Sequence, residues 1–324
     1  MPTTYRFKVN DCDVSNRAKL EKYRSKRTEW LEMLDGDPNH SVWKQITSML
    51  WNDAVFRMVN AARGLAMKGG YESSARNWTI AQFVDQGFVA VQTLSIRKLM
   101  EAPASKPHRQ IISLRRVLDD IRQNRDLITR EHYVAHDGLP YDPQAGEIAY
   151  KAAASKQGVH VSWMDTSGPY AWDASELAHE RFDKLSGVTP DKRARDDLIR
   201  EDVFVQIEQA LKASGWKDIV DFGNKLVAHA ADATSRGTLL QGQNGLSLDM
   251  LTRCHEGICR SANAIWTSLL WEGSRGGFPI PQFNHFENLD APWLKSDDVD
   301  TLSQLWNAHV DRVDEWEQDD LLKA

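Results

Sequence analysis

Two short stretches of this chain hold the residue types that proton-transfer chemistry uses. The first is Asp218 to Asp232, DIVDFGNKLVAHAAD, where Asp221, Lys225, His229 and Asp232 recur at four, four and three. On a helix they form one polar stripe. Ile219, Phe222, Leu226 and Ala230 recur at three, four and four, the spacing of a buried face beside it. At ~100° per residue His229 stands about 60° round from Leu226, at the rim of that face. A half-desolvated imidazole with a cation and an acid one turn away can move a proton near neutral pH. The same placement also suits a packed, hydrogen-bonded structural histidine, which is the commoner use of such a position.

The second stretch is Arg130 to His136, REHYVAH, at the end of an arginine-dense segment with Arg109, Arg115, Arg116, Arg122 and Arg125. A row of guanidiniums can track phosphates. Arg115 and Asp119, like Arg116 and Asp120, are four apart and can instead pair on a solvated face. Metal chemistry has little basis: Cys254 and Cys259 share one expected helix but lie ~140° apart. They read as core cysteines, and no cofactor or metal is expected. HExxH, GxGxxG, GxSxG and the phosphate-binding P-loop pattern are all absent.

Composition sets the frame. The chain has 324 residues, 41% hydrophobic and 27% charged, with a net charge of −6, an ordinary globular balance without a global basic field for nucleic acid or anionic lipid. No run approaches the ~20 apolar residues of a membrane span, and no secretory h-region opens the chain. Three cysteines suit a reducing cytoplasm.

The elements that must position both stretches are helices. Expected helices run from Ser15 to Leu34, from Ser41 to Met67, from Asn77 to about Leu99 and from His108 towards Tyr133, divided by Asp35-Gly36-Asp37-Pro38, Gly69-Gly70 and the 102–107 loop. The third turns Ile80, Val84, Phe88, Val91 and Leu94 inward. Tyr5, Phe7 and Val9 alternate as in a short strand or arm. Residues 137–190 are rich in Pro and Gly and read as a long loop excursion with one short strand near Val159 to Trp163 and a helix from Ser175 to Leu185. Helices resume from Pro190 to Lys212, through the 218–232 stretch, from Ser247 to Trp271, and from Ser296 to about Gln318. The expected fold is all-α: an antiparallel helical bundle over 1–136, the excursion over 137–190, and additional C-terminal helices over 191–324, with one domain throughout as the alternative.

The segment DFGNKLVAHAAD resembles the signature helix of the HEPN superfamily, in particular its abortive-infection AbiU-like branch, which often reads Arg, polar, Lys, two apolar residues, Ala and His. ISLRRVLDDIRQNRDLITREHYV is similar to the same branch in its rhythm. The resemblance implies a HEPN-like bundle in a cytoplasmic defence protein. It also implies metal-independent RNA cleavage at a site composed across a homodimer. His229 takes the family histidine's place, assisting proton transfer at a 2′-hydroxyl, and Asn224 that of the polar residue beside the arginine. The arginine itself falls at Gly223. Arg130 and His136, with five residues between them, also meet the superfamily's spacing. Either they form a second pair, or Arg130 crosses the bundle to His229. The competing class is a non-catalytic helical module that binds a nucleotide or a partner protein.

Overall fold

The computed structural model describes residues 5–68, 77–103, 106, 110–157, 166–228, 246–273, 283–287 and 298–318. Every regular element among them is helical, and one isolated antiparallel bridge, Thr129 to Leu198, is their only β-type pairing. The fold is all-α. No helix among the described residues is long and apolar enough to cross a membrane. The chain divides into two compact units, Met1–Phe278 and Pro279–Ala324.

In the first unit, α1 (Arg17–Leu31) starts where the Asn16 side chain accepts from Lys19 N and runs into a π-helical turn, Glu32–Gly36. α2 (Val42–Lys68) and α3 (Trp78–Met100) pack side by side. Ser113 caps α4 (Leu114–Gln123), and Thr129 caps the six-residue α5 (Arg130–Ala135). α6 (Pro143–Gln157) and α7 (Trp172–Ser186) follow, with Gly187 ending α7 in the left-handed conformation. α8 (Glu201–Ala213) leads to α9 (Trp216–Gly223), which continues as a π turn, Asn224–Ala228. α10 (Leu248–Asn263) continues likewise through Ala264–Leu269. Leu20, Trp30, Ile46, Ile96, Leu118, Phe182, Phe204, Ile219 and Ile258 belong to one shared core. The second unit's helix is α11 (Val299–Gln318).

Several expectations change. Within the 137–190 excursion α7 covers the helix expected from Ser175 to Leu185, and a further 15-residue helix, α6, occupies a stretch expected to be loop. The excursion's Val159 to Trp163 alternation lies outside the described residues. The Tyr5, Phe7 and Val9 alternation is not a strand either. Tyr5 Oη donates to Arg24 O at 2.9 Å and Phe7 N to Asp137 Oδ1 at 3.1 Å, so the side chains anchor the segment one by one. The Phe7 ring lies so close to Gly138 that a Cβ there would meet it at 2.4 Å, at a φ of +86° where only glycine sits without strain. On α3, Ile80, Val91 and Leu94 are exposed. The helix is apolar round most of its girth, and Ile96, Leu99 and Met100 take the core side. On α11, Val299, Leu302, Trp306 and Val310 are exposed.

The arginine-dense helix is neither a phosphate track nor a solvated face. Arg115 pairs with Asp119 as the spacing predicts, at 3.0 Å, but it also reaches Glu208 on α8 at 3.0 Å, as Arg122 does at 3.1 Å. Arg125 takes Glu201 at 2.8 Å. Asp120 turns to Lys26 and Trp30 Nε1 instead of Arg116. These guanidiniums stitch α4 to α8. Arg109 lies outside the described residues.

Candidate functional site

α9 begins after Gly215, which holds a φ of +75°, and lays Ile219 into the core. At Asn224 the helix widens to π geometry. The extra residue in that turn breaks the register that the 219–230 spacing implies, and Leu226 comes out 46% exposed. His229, Ala230 and Asp232 lie outside the described residues. What precedes them is clear. Gly223 is buried against α3, where a Cβ would meet Thr93 Cβ at 2.7 Å. An arginine cannot stand at 223 while α3 and α9 pack this closely.

A guanidinium from α3 stands beside this turn. Arg97 Nη1 donates to Asn224 Oδ1 at 3.2 Å, and the two residues line a narrow slot with Leu94, Val220 and Val227. Arg97 is exposed, so its guanidinium is open to a ligand as well as bonded to the motif. Nothing in the spacing of α3 marks Arg97, because its partner is 127 residues away.

Arg130 plays a different part. Its side chain is 0% exposed. Nε donates to Asp197 Oδ2 at 2.7 Å, Nη1 to Asp183 Oδ1 at 2.7 Å, and Nη2 to Ser186 Oγ at 3.1 Å. Its backbone N–H donates to Asp197 O at 3.0 Å. Burial would raise the Asp183 carboxyl, but hydrogen bonds from Arg193 and Arg130 outweigh it and hold it below the ordinary range. The guanidinium's partners all lie between 179 and 197, so Arg130 neither reaches solvent nor crosses to α9. Its neighbour Glu131 accepts from Ser15 N and Oγ, both at 2.8 Å. The REHYVAH stretch is an anchor that ties the α7–α8 segment and the N-terminal segment to one buried helix.

His136 faces α1, apart from Arg130's partners. Its carbonyl accepts from Arg24 Nε at 2.8 Å, and its ring packs edge-on to Tyr5 and Tyr23. Nδ1 lies 3.1 Å from Tyr133 O; a carbonyl only accepts, so the proton is on Nδ1. Burial, then the charges of Arg27 and Arg24, hold the ring well below its ordinary range. Burial likewise lowers His132 and His179. Each of these rings resists protonation when folded and accepts it when unfolded. Stability is therefore intact above the unfolded value of about 6.5 and is lost as the pH falls from there towards the depressed folded values, by up to about 1.4 kcal/mol per pH unit for each ring. The urea midpoint at pH 5 is expected well below that at pH 7.5; equal midpoints would mean that the rings take up protons in place.

Among the described residues no group of three or more His, Cys, Asp or Glu is arranged to hold a metal. Cys12 and Cys254 are buried free thiols and Cys259 is half-buried; burial pushes the Cys254 thiol up to about 12, which makes it inert as a nucleophile. No family model matches the sequence, and no curated protein and no solved structure is significantly similar to it.

Proposed function

We propose that this chain is a HEPN-like defence protein of the abortive-infection type, a cytoplasmic, homodimeric, metal-independent ribonuclease whose site is Arg97, Asn224 and His229. One observation carries the reading: Arg97 stands on Asn224 at 3.2 Å, so a guanidinium accompanies the motif although position 223 is glycine. In this scheme His229 takes the proton from a ribose 2′-hydroxyl as its oxygen attacks the adjacent phosphorus. The bond to the 5′-oxygen breaks, that oxygen is protonated, and the products are a 2′,3′-cyclic phosphate and a 5′-hydroxyl end. Arg97 neutralises the charge that builds on the phosphoryl oxygens, and Asn224 holds the guanidinium in place.

The test is cleavage of a single-stranded RNA in EDTA. Wild type is expected to yield cyclic-phosphate ends, and His229→Ala and Arg97→Ala to lose about 10²-fold or more in rate. Cleavage that survives both substitutions rejects the site. The second reading, a non-catalytic module for a nucleotide or a partner protein, draws on the burial of Arg130, which withdraws the arginine of the REHYVAH pair from any substrate. RNA binding without cleavage by wild type would favour it.

A further inference from the structure

A cleft of about 620 Å³ opens between the start of α2, the end of α3 and residues 110–112. Its lining includes amide, hydroxyl and charged groups: Lys44, Gln45, Ser48, Ser95, Lys98 and Glu101. Gln45 Nε2 donates to His40 O at 2.6 Å and to Ile112 O at 2.9 Å, which fixes the 110–112 wall to α2. Gln45 Oε1 is buried without a hydrogen-bond partner. Lys44, which also lines the cleft, donates from Nζ to Pro38 O. The volume is within the ordinary range for a small-molecule site, roughly 300–1,000 Å³.

The cleft adjoins the Arg97 slot through α3. Thr93, Leu94 and Arg97 line the slot, and Ser95, Lys98 and Glu101 line the cleft. At ~100° per residue the two faces are about a quarter turn apart, an arc of roughly 10 Å on a helix 10–12 Å wide. A single strand held at Arg97 therefore meets Lys98 next. Lining of this kind fits an unstacked base: side-chain amides and hydroxyls pair with base edges, and a carboxylate accepts from an exocyclic amine.

We propose that this cleft is a base-binding subsite for single-stranded RNA. Lys98 and Lys44 hold the phosphate next to the one at Arg97, and the attached base enters between Gln45, Ser48 and Ser95, with Glu101 accepting from its amine. Adenine, cytosine and guanine carry such an amine and uracil does not, so uracil is the base the subsite takes least well. This inference rests on the ribonuclease reading for the position of the scissile phosphate.

The experiment measures fluorescence anisotropy of labelled 2′-O-methyl tetranucleotides of A, C, G and U, which cannot be cleaved, beside EDTA-resistant cleavage of unmodified RNA. At least one amine-bearing tetranucleotide is expected to bind about tenfold tighter than U, roughly the discrimination of one good base-edge contact. Ser48→Trp, which fills the cleft, and Lys98→Glu, at an exposed position, are each expected to weaken it about tenfold or more. Lys98→Glu keeps the test open should the larger side chain unsettle α2, and a thermal melt of each variant shows whether it folds. Tetranucleotide binding that is absent from wild type, indifferent to base, or unchanged in both folded variants overturns the subsite. Cleavage by wild type alongside that result leaves the ribonuclease reading standing. Cleft-dependent, base-selective binding with no cleavage supports the subsite and rejects the ribonuclease reading instead.

Discussion

Arg130→Ala is expected to destabilise the protein by about 3–5 kcal/mol, the usual consequence of removing one partner from a buried ion pair. The guanidinium is fully enclosed, and it spans Asp183, Asp197 and Ser186 with donors at 2.7, 2.7 and 3.1 Å. Removing it affects its two acids differently. Asp183 keeps Arg193, whose Nη2 lies 2.8 Å from Oδ2. Among the described residues Asp197 retains only the Ala194 N–H at 3.0 Å, on the same oxygen that Arg130 held, so most of the penalty falls there. Arg130→Lys is expected to recover only part of the loss, because an ammonium's three donors radiate from one nitrogen and cannot span the partners that Nε, Nη1 and Nη2 each reach. Urea unfolding of the three proteins measures this directly. Arg97→Ala, in contrast, changes an exposed residue and is expected to stay within about 0.5 kcal/mol of wild type while, on the proposed ribonuclease reading, losing RNA cleavage. The two arginines thus separate stability from chemistry. An Arg130→Ala protein as stable as wild type but unable to cleave RNA would transfer the functional role to Arg130.

That contrast also shows what the sequence exposes and what it hides. Helices bounded by a capping residue and carrying a clean apolar row are legible: Asn77 and Ser247 each cap a helix where one is expected to start, and Leu114, Leu118 and Ile121 are all buried, although their helix starts after Ser113 and not at His108. α6 was hidden because PQAGEIAYKAAASKQ has few large apolar residues and lies among prolines and glycines, so no period rises above its surroundings. Arginine carries no mark of its burial. Arg130 looks like its surface neighbours until Asp183 and Asp197, 53 and 67 residues on, close over it. The motif's missing cation was illegible for the same reason. Asn224 and Gly223 are local facts, but Arg97 reaches them only through the packing of α3 on α9. The π turn at 224 hid too, since a helical period gives no sign of where one extra residue will be accommodated.

Replacing Gly223 with arginine, the residue that the HEPN resemblance puts there, is expected to unfold the α3–α9 contact rather than to raise activity. The obstacle is the first carbon of the side chain. A Cβ at 223 would lie 2.7 Å from Thr93 Cβ, 3.1 Å from Oγ1 and 3.3 Å from Cγ2. Thr93 cannot turn aside, since it is buried and its Oγ1 donates to Val89 O at 2.9 Å within its own helix. For Gly223→Ala, overpacking of about 1–3 kcal/mol competes with a helix-propensity gain of about 1 kcal/mol, so a net loss of up to about 2 kcal/mol is expected. Gly223→Arg must in addition carry a guanidinium out of that contact, and a loss of at least 3 kcal/mol is expected, on the scale of a buried unpaired charge. Because the closest atom is Thr93 Cβ, Thr93→Ala leaves the clash in place whereas Thr93→Gly removes it. A double-mutant cycle in urea should therefore show Gly223→Ala coupled to Thr93→Gly by about 1 kcal/mol or more, and to Thr93→Ala by less. Equal coupling in both cycles would mean that the helices part instead of pressing on that one carbon. The helices meet too closely for a side chain at 223, and on the proposed ribonuclease reading the helix that forbids it supplies the cation a turn further along, at Arg97.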